Sequence, residues 1–328
     1  MTTRWGILGA GGIAGTFTEN LLAEGLAVQA VAARDGARSQ AFADRFGLAT
    51  AHTGYEALVS DPAVDAVYVS TTHNFHLEHA LLAIEAGKAV LIEKPVTVTA
   101  AEATQLAEAA EAAGVFAMEA MWTRFLPSMD YVKQRIAAGA IGEVRAVQSQ
   151  HCQLLNPDPE GRLFNPDLAG GALLDLGVYN VSFSLDVLGA PEAVLGRGTL
   201  TKTGVDAETA MVLSHAGGAQ SSAYTTMVAP GANGATVMGT EGYLDLAPTF
   251  YNWTTVRHFV SEPRGQLADT FEPQQTSRGM HFQALEVERC LAEGLTQSPR
   301  HSLQDSIAVM TVLDELRRQV GAVLPQDG

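Results

Sequence analysis

Residues 4–17 read RWGILGAGGIAGTF, and this stretch decides the fold of the N-terminal part of the chain. The first five letters form a mostly apolar run that predicts a strand, and the apolar residues after the glycines recur at helical spacing. Between the two predicted elements, Gly9, Gly11 and Ala14 form a G-x-G-x-x-A pattern. A strand, a glycine-rich turn and a helix in this order are typical of a dinucleotide-binding unit.

Each small residue in this turn has its own task. Gly9 permits the sharp turn, Gly11 lets backbone amides approach a pyrophosphate without an intervening Cβ, and Ala14 allows the helix to pack closely on the strand. The positive end of the helix dipole lies at the same place. The predicted cofactor contacts of the turn are Gly9, Gly11, Gly12, Ile13 and Ala14.

The rest of the N-terminal pattern alternates strands with helices. Strands are predicted at 27–33, 66–70, 89–92 and 115–118, and helices at 39–46, 76–86 and 100–113. This alternation predicts a parallel, doubly wound sheet, which is a Rossmann fold of the α/β class.

The pattern changes after about residue 122. A helix is predicted at 127–138, strands at 143–151, 192–201, 207–214, 219–228 and 236–238, and closing helices at 281–293 and 301–319. Consecutive strands separated by glycine-rich turns favour a large, mostly antiparallel open sheet within an α+β domain.

The length of 328 residues exceeds what one hydrophobic core usually supports, so two domains are expected. We assign residues 1–121 to a dinucleotide-binding domain and residues 122–328 to a substrate-binding and dimerisation domain. The closing helices could instead pack back on the first domain. Because the antiparallel sheet needs one face covered and this part of the chain offers few helices to cover it, we expect a homodimer.

The composition excludes several classes of partner. Twenty Lys and Arg residues against 36 Asp and Glu give a net charge of −16, which opposes binding to nucleic acid or anionic lipid. The two cysteines are too few for a disulfide framework and lack metal-ligand spacing. The first residues lack the pattern of a signal peptide, and no run reaches about 18 apolar residues. The sequence predicts a cytoplasmic protein that acts on a small molecule, without a metal.

The end of the second predicted strand bears on the choice between NAD and NADP. An acidic residue at this position accepts the ribose 2′-hydroxyl of NAD and repels the 2′-phosphate of NADP. Here the position is Ala33, followed by Arg34 and, at the start of the next helix, Arg38. Guanidinium groups bind phosphate through paired, charge-assisted hydrogen bonds. We therefore expect NADP, with NAD still possible because Asp35 is adjacent.

Residues 89–98, AVLIEKPVTV, place Glu93 and Lys94 at the end of another parallel strand. The carboxyl edge of such a sheet is where its ligands bind. Both residues are therefore predicted to lie beside the cofactor. A lysine after a strand is by itself a weak signal, because many such lysines are only solvated.

Four stretches together resemble the Gfo/Idh/MocA family over nearly the whole chain. They are GILGAGGIA at 6–14, EAGKAVLIEKP at 85–95, GGALLDLGVY at 170–179 and EGLTQSPRHSLQDSIAVMTVLDELRR at 293–318. MEAMWTRFLP at 118–127 and TGVDAETAMVL at 203–213 are similar to the branch that contains dimeric dihydrodiol dehydrogenase. That branch also oxidises D-xylose with NADP.

The resemblance implies that Lys94 and Tyr179 are the catalytic acid and base, with Asp175 beside them. Much of the wider family has His where Tyr179 stands, so this chain follows the narrower branch. On a helix, residues four apart share a face, which would bring Asp175 next to Tyr179. A tyrosine has an ordinary pKa near ~10, and a neighbouring cation such as Lys94 would lower it.

The resemblance also implies that the loop after the predicted strand at 66–70 borders the cofactor, through Thr71, His73 and His76. With His79, these histidines are spaced three apart, but no acidic or cysteine partner completes a metal site. We therefore interpret them as part of the nicotinamide-side loop.

Trp122 and Arg124 fall where the first predicted domain gives way to the second. They are candidates for substrate binding, together with Asp175 and Tyr179. Interface packing for Trp122 and a carboxylate partner such as Glu119 for Arg124 are the alternatives.

Taken together, the sequence predicts an NAD(P)-dependent dehydrogenase that acts on the CH–OH group of a sugar or cyclic diol. Two other classes stay open: an NAD-dependent glycosidase-like enzyme, and a non-catalytic sugar- or cofactor-sensing protein of the same fold. The residues Lys94, Asp175 and Tyr179 favour the enzyme over the sensor. Xylose, another aldose, a cyclic diol or an α-dicarbonyl all fit the motifs.

Overall fold

The computed structural model describes residues 3–262 and 265–327. The chain divides into two compact units. The first comprises Met1–Trp122 and Thr276–Ile307, and the second comprises Thr123–Gln275 and Ala308–Gly328. The residues of the first closing helix fall in the same unit as the N-terminal sheet.

The first unit is built on a six-stranded parallel sheet, as predicted for its Rossmann fold. Its strands are β1 (Arg4–Leu8), β2 (Ala27–Ala33), β3 (Thr50–Thr53), β4 (Ala66–Val69), β5 (Ala89–Glu93) and β6 (Ala117–Ala120). Their order is β3-β2-β1-β4-β5-β6, so the chain reverses direction across the sheet between β1 and β4. A ligand of this fold binds at that reversal, outside the carboxyl ends of the strands.

Helices cover this sheet on both faces. They are α1 (Gly12–Ala23), α2 (Gly36–Phe46), α3 (Tyr55–Val59), α4 (His76–Glu85) and α5 (Ala100–Ala113). Phe17 of α1 stacks on Tyr68 of β4 with ring centroids 3.8 Å apart, and Trp5 of β1 meets Phe17 edge-on. All three rings are fully buried. Burial of each large apolar side chain contributes about 1.5–3 kcal/mol, so this cluster fixes α1, and with it the glycine turn, against the sheet.

The second unit contains a large sheet that is mostly antiparallel, as predicted. It begins with α6 (Pro127–Ala137) and β7 (Val144–Cys152), followed by α7 (Val178–Leu188). The later strands are β8 (Pro191–Leu200), β9 (Asp206–His215), β10 (Gln220–Thr226), β11 (Ala235–Gly239), β12 (Gly242–Leu246), β13 (Val256–Val260) and β14 (Gln266–Phe271). The order is β14-β13-β12-β11-β7-β10-β9-β8, and β7 with β10 is a parallel pair.

The two faces of this sheet differ. One face is covered by α7 and is buried, whereas the other leaves apolar side chains in solvent. Leu195 lies directly opposite Val212, and both are exposed, at 57% and 43%. Tyr224 on β10 lies on the same face.

Two closing helices end the chain, α8 (His281–Ala292) and α9 (Leu303–Val320). Among the residues that the structure describes, one helical stretch, Pro166–Leu188, has the length and apolarity of a membrane span. Because 83% of its most apolar window is buried inside the structure, the stretch is a core helix of the second unit.

Candidate functional site

The glycine turn after β1 has the backbone conformation that its sequence predicts. Gly9 has φ of 109°, a backbone conformation that residues other than glycine rarely adopt. Its N–H donates to the carbonyl of Ala32 over 2.9 Å, and a Cβ on Gly9 would lie 3.1 Å from the carbonyl oxygen of Ser70. The turn is therefore fixed against the ends of β2 and β4.

Above this turn, the first turn of α1 is open. Gly11 is the N-cap, no side chain bonds the first amides, and a Cβ at Gly11 or Gly12 would meet no atom within 4 Å. Ala14 is completely buried against the sheet, as its packing role requires. Unpaired amides at the positive end of a helix bind anions. The turn therefore fits the pyrophosphate of a dinucleotide.

Two arginines and a helix-capping aspartate follow the end of β2. Arg34 is exposed, with its guanidinium carbon 6.0 Å from the centre of the Phe75 ring. Arg38 reaches back to the glycine turn, where Nη2 donates to the carbonyl of Ala10 over 3.4 Å. Asp35 caps α2 by accepting from the amide of Ala37 over 2.9 Å. Asp35, the acid two residues after Ala33, therefore already has a structural partner.

The loop after β4 is held by histidines. His76 is fully buried, with Nδ1 2.8 Å from the carbonyl oxygen of Pro95 and Nε2 3.1 Å from that of Thr71. Burial lowers its pKa to about 4, so the neutral ring donates to one of the two carbonyls. Nδ1 of His79 lies 2.9 Å from the Thr71 hydroxyl, and His73 is buried beside His76. His76 thus joins the loop to the Lys94–Pro95 segment.

A metal site is not formed here. Within residues 3–262 and 265–327, no group of three or more His, Cys, Asp and Glu side chains is arranged to hold a metal ion.

Glu93 ends β5 with its carboxylate turned inward. One oxygen accepts from the Tyr68 hydroxyl, and the other accepts from the Lys94 amide over 3.1 Å. Burial raises the pKa of Glu93. Both oxygens are engaged inside the unit, so Glu93 supports the Lys94 segment. Lys94 itself is half-buried at the carboxyl edge of the sheet.

In the second unit, Asp175 and Tyr179 lie at the start of the α7 region. The sequence spacing assumed a regular helix, but Leu173–Gly177 form a π-helical turn that leads into α7. Such turns hold one extra residue and occur frequently at functional sites. Oδ1 of Asp175 accepts from Arg162 over 3.1 Å, whereas Tyr179 is buried against aromatic rings.

Those rings belong to His151 and Tyr251, whose centroids lie 5.2 and 5.5 Å from that of Tyr179. His151 Nδ1 donates to the carbonyl of Leu176 over 3.1 Å, since a carbonyl can only accept. Its Nε2 lies 2.9 Å from the Gln153 amide nitrogen and accepts from it. Both ring nitrogens are therefore engaged, and Tyr179 is the better candidate base.

Arg124 is held inside the second unit. Its guanidinium is buried against α7, where Nε donates to the Ser182 hydroxyl over 2.9 Å and Nη2 to the Ser182 carbonyl over 3.1 Å. Nη1 pairs with Asp186 over 3.5 Å. The carboxylate partner of Arg124 is Asp186 and not Glu119, which the sequence had suggested, and Arg124 anchors α7. Trp122 is buried, with the Arg278 guanidinium carbon 5.4 Å from the centre of its ring.

Sequence reasoning missed Asp206, Arg162 and Tyr251. Asp206 is buried, and its Oδ2 accepts from the Leu173 amide over 2.6 Å. A Cβ on Gly171, whose φ is 125°, would lie 2.2 Å from Asp206 Oδ1. Asp206 thus holds the start of the helix that carries Asp175 and Tyr179. Only its place in the TGVDAE stretch could have drawn attention to it.

Comparisons with known proteins follow the same division. Residues 3–121 match the model of an oxidoreductase family with an NAD-binding Rossmann fold, Gfo/Idh/MocA, and residues 129–245 match the C-terminal domain model of that family. The chain is 37% identical to a trans-1,2-dihydrobenzene-1,2-diol dehydrogenase of Danio rerio, covering 100% of this chain and 99% of that protein. The Mus musculus protein of the same name is 36% identical, with 100% and 99% covered.

Two solved structures are also similar. A 3-ketoreductase from Actinomadura kijaniata, in complex with NADP and TDP-benzene, is 26% identical with a TM-score of 0.84, and 98% of each chain is covered. An aldose-aldose oxidoreductase from Caulobacter crescentus shares the fold, with a TM-score of 0.87 at 23% identity and 98% of each chain covered.

The buried Asp206 predicts a pH dependence of stability. Burial raises its pKa from 3.8 to about 6, so the folded state binds a proton that the unfolded chain releases. The contribution of Asp206 to the free energy of unfolding is therefore full below about pH 4 and falls as the pH rises to about 6, by on the order of 2–3 kcal/mol. Urea denaturation of the wild type and Asp206→Asn across this range measures it.

Other titrating groups are common to the two proteins and cancel in the difference between them. A difference in stability that is constant from pH 4 to pH 7 would contradict the assignment.

Proposed function

Because the chain belongs to the Gfo/Idh/MocA oxidoreductase family, we propose that it is an NADP-preferring dehydrogenase that oxidises a carbinol carbon of a sugar or a cyclic diol. The observation that carries the proposal is an open dinucleotide turn together with a carboxyl-edge lysine in one unit and a buried Asp–Tyr helix start in the other. A sensor protein has no need of the proton-transfer residues. The relatives' name is that of a diol dehydrogenase, which supports the class of substrate.

NADP, when bound, supplies the hydride acceptor. The amides of Gly12 and Ile13 would hold its pyrophosphate, and Arg34 with Arg38 would bind the 2′-phosphate. Ala33 presents no acid to repel that phosphate, and the carboxylate of Asp35 is occupied as a helix cap. These features support NADP over NAD.

We assign the proton chemistry to Tyr179 and Lys94. Tyr179 takes the proton of the substrate hydroxyl, and Lys94 orients the substrate oxygen. Asp175, fixed by Arg162, positions the start of the helix on which Tyr179 lies. His151 has both ring nitrogens engaged and leaves the proton to Tyr179.

A substrate screen tests the overall proposal. The purified protein is incubated with NADP or NAD and a panel of D-xylose, other aldoses and trans-dihydrodiols, and NADPH absorbance is followed. α-Dicarbonyls test the reverse direction. Cofactor binding without turnover of any panel member would favour the sensing protein instead.

We also propose a cytoplasmic location. Both free cysteines, Cys152 and Cys290, are buried, which suits a reducing compartment.

The proposed preference for NADP predicts how replacing Arg34 changes cofactor affinity. Arg34→Ala should weaken NADP binding by about 1.5–3 kcal/mol, because a hydrogen bond to a charged group contributes that much, and should leave NAD binding nearly unchanged. Titration by fluorescence quenching measures both affinities. Arg145→Ala, an exposed arginine of the second unit, is the control. Wild-type affinity for NAD equal to that for NADP would refute the preference.

The proposed acid–base pair predicts coupled losses. Tyr179→Phe and Lys94→Met should each reduce turnover by about 10²–10⁴-fold, with NADP affinity nearly intact, because general base catalysis contributes that factor. Groups that act as a unit lose most of their effect when either is removed, so the double variant should be little worse than either single one. Steady-state kinetics of the three variants measure these losses in turnover. Losses that multiply in the double variant would show two independent roles.

The exposed sheet face predicts a homodimer. The apolar side chains of Leu195, Val212 and Tyr224 lie together on the face opposite α7, and a second copy of the chain would remove them from water. Light scattering should give a dimeric mass for the wild type and a monomeric mass for Leu195→Glu. Val323→Glu, at a still more exposed apolar position outside the sheet, should remain dimeric. A monomeric wild type would exclude this assembly.

A further inference from the structure

The backbone around Lys94 is held at three consecutive positions by buried ionisable side chains. The Lys94 amide donates to Glu93 over 3.1 Å, and the Pro95 carbonyl oxygen lies 2.8 Å from His76 Nδ1. The Val96 amide donates to Oε1 of Glu119 over 3.0 Å. The peptide unit that follows Lys94–Pro95 is therefore bound at both its carbonyl and its amide.

Glu119 connects this peptide to a distant part of the sequence. It lies on β6 opposite Ile92 of β5, next to the segment that it binds. Its Oε2 accepts from the His301 ring nitrogen over 3.0 Å and from the Ser306 hydroxyl over 2.8 Å. Glu119 is 1% exposed, and His301 and Ser306 are completely buried.

A carboxylate buried this deeply is stable only if hydrogen bonds replace its water. Glu119 obtains these bonds from two segments: the one that carries Lys94, and the start of α9 with His301 just before it. The carboxylate cannot shift toward one segment without losing donors from the other. The position of the Val96 amide is thereby fixed, and with it the start of the Lys94 side chain.

We propose that Glu119, held by His301 and Ser306, is a positioning residue for Lys94. The inference rests on the proposed function, in which Lys94 orients the substrate oxygen. A catalytic group displaced by about 1 Å can lose on the order of 10²-fold in rate, so a rigid backbone at this point affects turnover directly.

Glu286 provides a matched control in the same unit. It is 4% exposed and, like Glu119, accepts a hydrogen bond from a serine hydroxyl, here that of Ser298. Its second donor is the guanidinium of Arg289. Within the described part of the chain, its partners Arg289, Cys290 and Ser298 all lie outside the Lys94 segment. Glu286→Gln should therefore lower stability without changing the environment of Lys94.

The experiment uses the full-length protein and two readouts that do not require turnover. Hydrogen exchange reports the Val96 amide, and the rate of amine acylation, followed by mass spectrometry, reports the Lys94 side chain. Glu119→Gln should accelerate exchange at Val96 by about tenfold, because a charge-assisted hydrogen bond is about twice as strong as a neutral one. It should also change the acylation rate of Lys94 several-fold, while Lys88 and Lys133 keep theirs.

His301→Gln retains a donor to Glu119 and should give the same changes in weaker form, which preserves the test if Glu119→Gln does not fold. Unchanged exchange at Val96 or unchanged acylation at Lys94 would overturn the proposal, as would equal effects from Glu286→Gln. Normal turnover in Lys94→Met would instead refute the catalytic role of Lys94 and leave the exchange result standing, so the two failures are distinguishable.

Discussion

A carboxylate removed from water must be given hydrogen-bond donors, and this requirement organises the candidate site. Glu93 and Glu119 find their donors in the backbone amides of Lys94 and Val96, and Asp206 finds one in the amide of Leu173. In each case, an acid on a strand fixes the first residues of a segment that carries proposed chemistry. The hydrogen bonds that satisfy these buried acids therefore also hold the proposed catalytic groups in place.

The positive groups near the glycine turn oppose the negative net charge of the whole chain. A net charge of −16 disfavours an anionic cofactor at long range. At the edge of the sheet, the N-terminus of α1 and the side chains of Arg34 and Arg38 provide local positive charge for such a cofactor. Asp35 lies close to them in sequence, but its carboxylate accepts a hydrogen bond from a backbone amide. A small region of positive potential on an acidic protein also favours selective binding over general attraction to phosphate.

Much of this could be predicted from the sequence, where local rules are strong. The glycine turn and the alternation of strands and helices gave the parallel sheet, because close backbone approach allows few residue types. Strands β3, β12, β13 and β14 were missed. β3 and β14 are edge strands with few buried residues, so their sequences show no clear apolar pattern. The positions of Arg124 and Tyr251 were equally hidden: one depends on Asp186 and Ser182, and the other on stacking with His151.

The π-helical turn at Leu173–Gly177 carries a consequence for how this site can change over evolution. Such a turn is an α-helix that has accepted one additional residue, and each residue of an α-helix accounts for about 100° of rotation. Deleting one residue there would restore regular winding and turn Asp175 away from Arg162, while Tyr179 kept its place beside His151. The relative orientation of the acid and the tyrosine is thus set by chain length. Point substitutions alone could not reproduce it, whereas a single codon gained or lost would create or abolish it in one step.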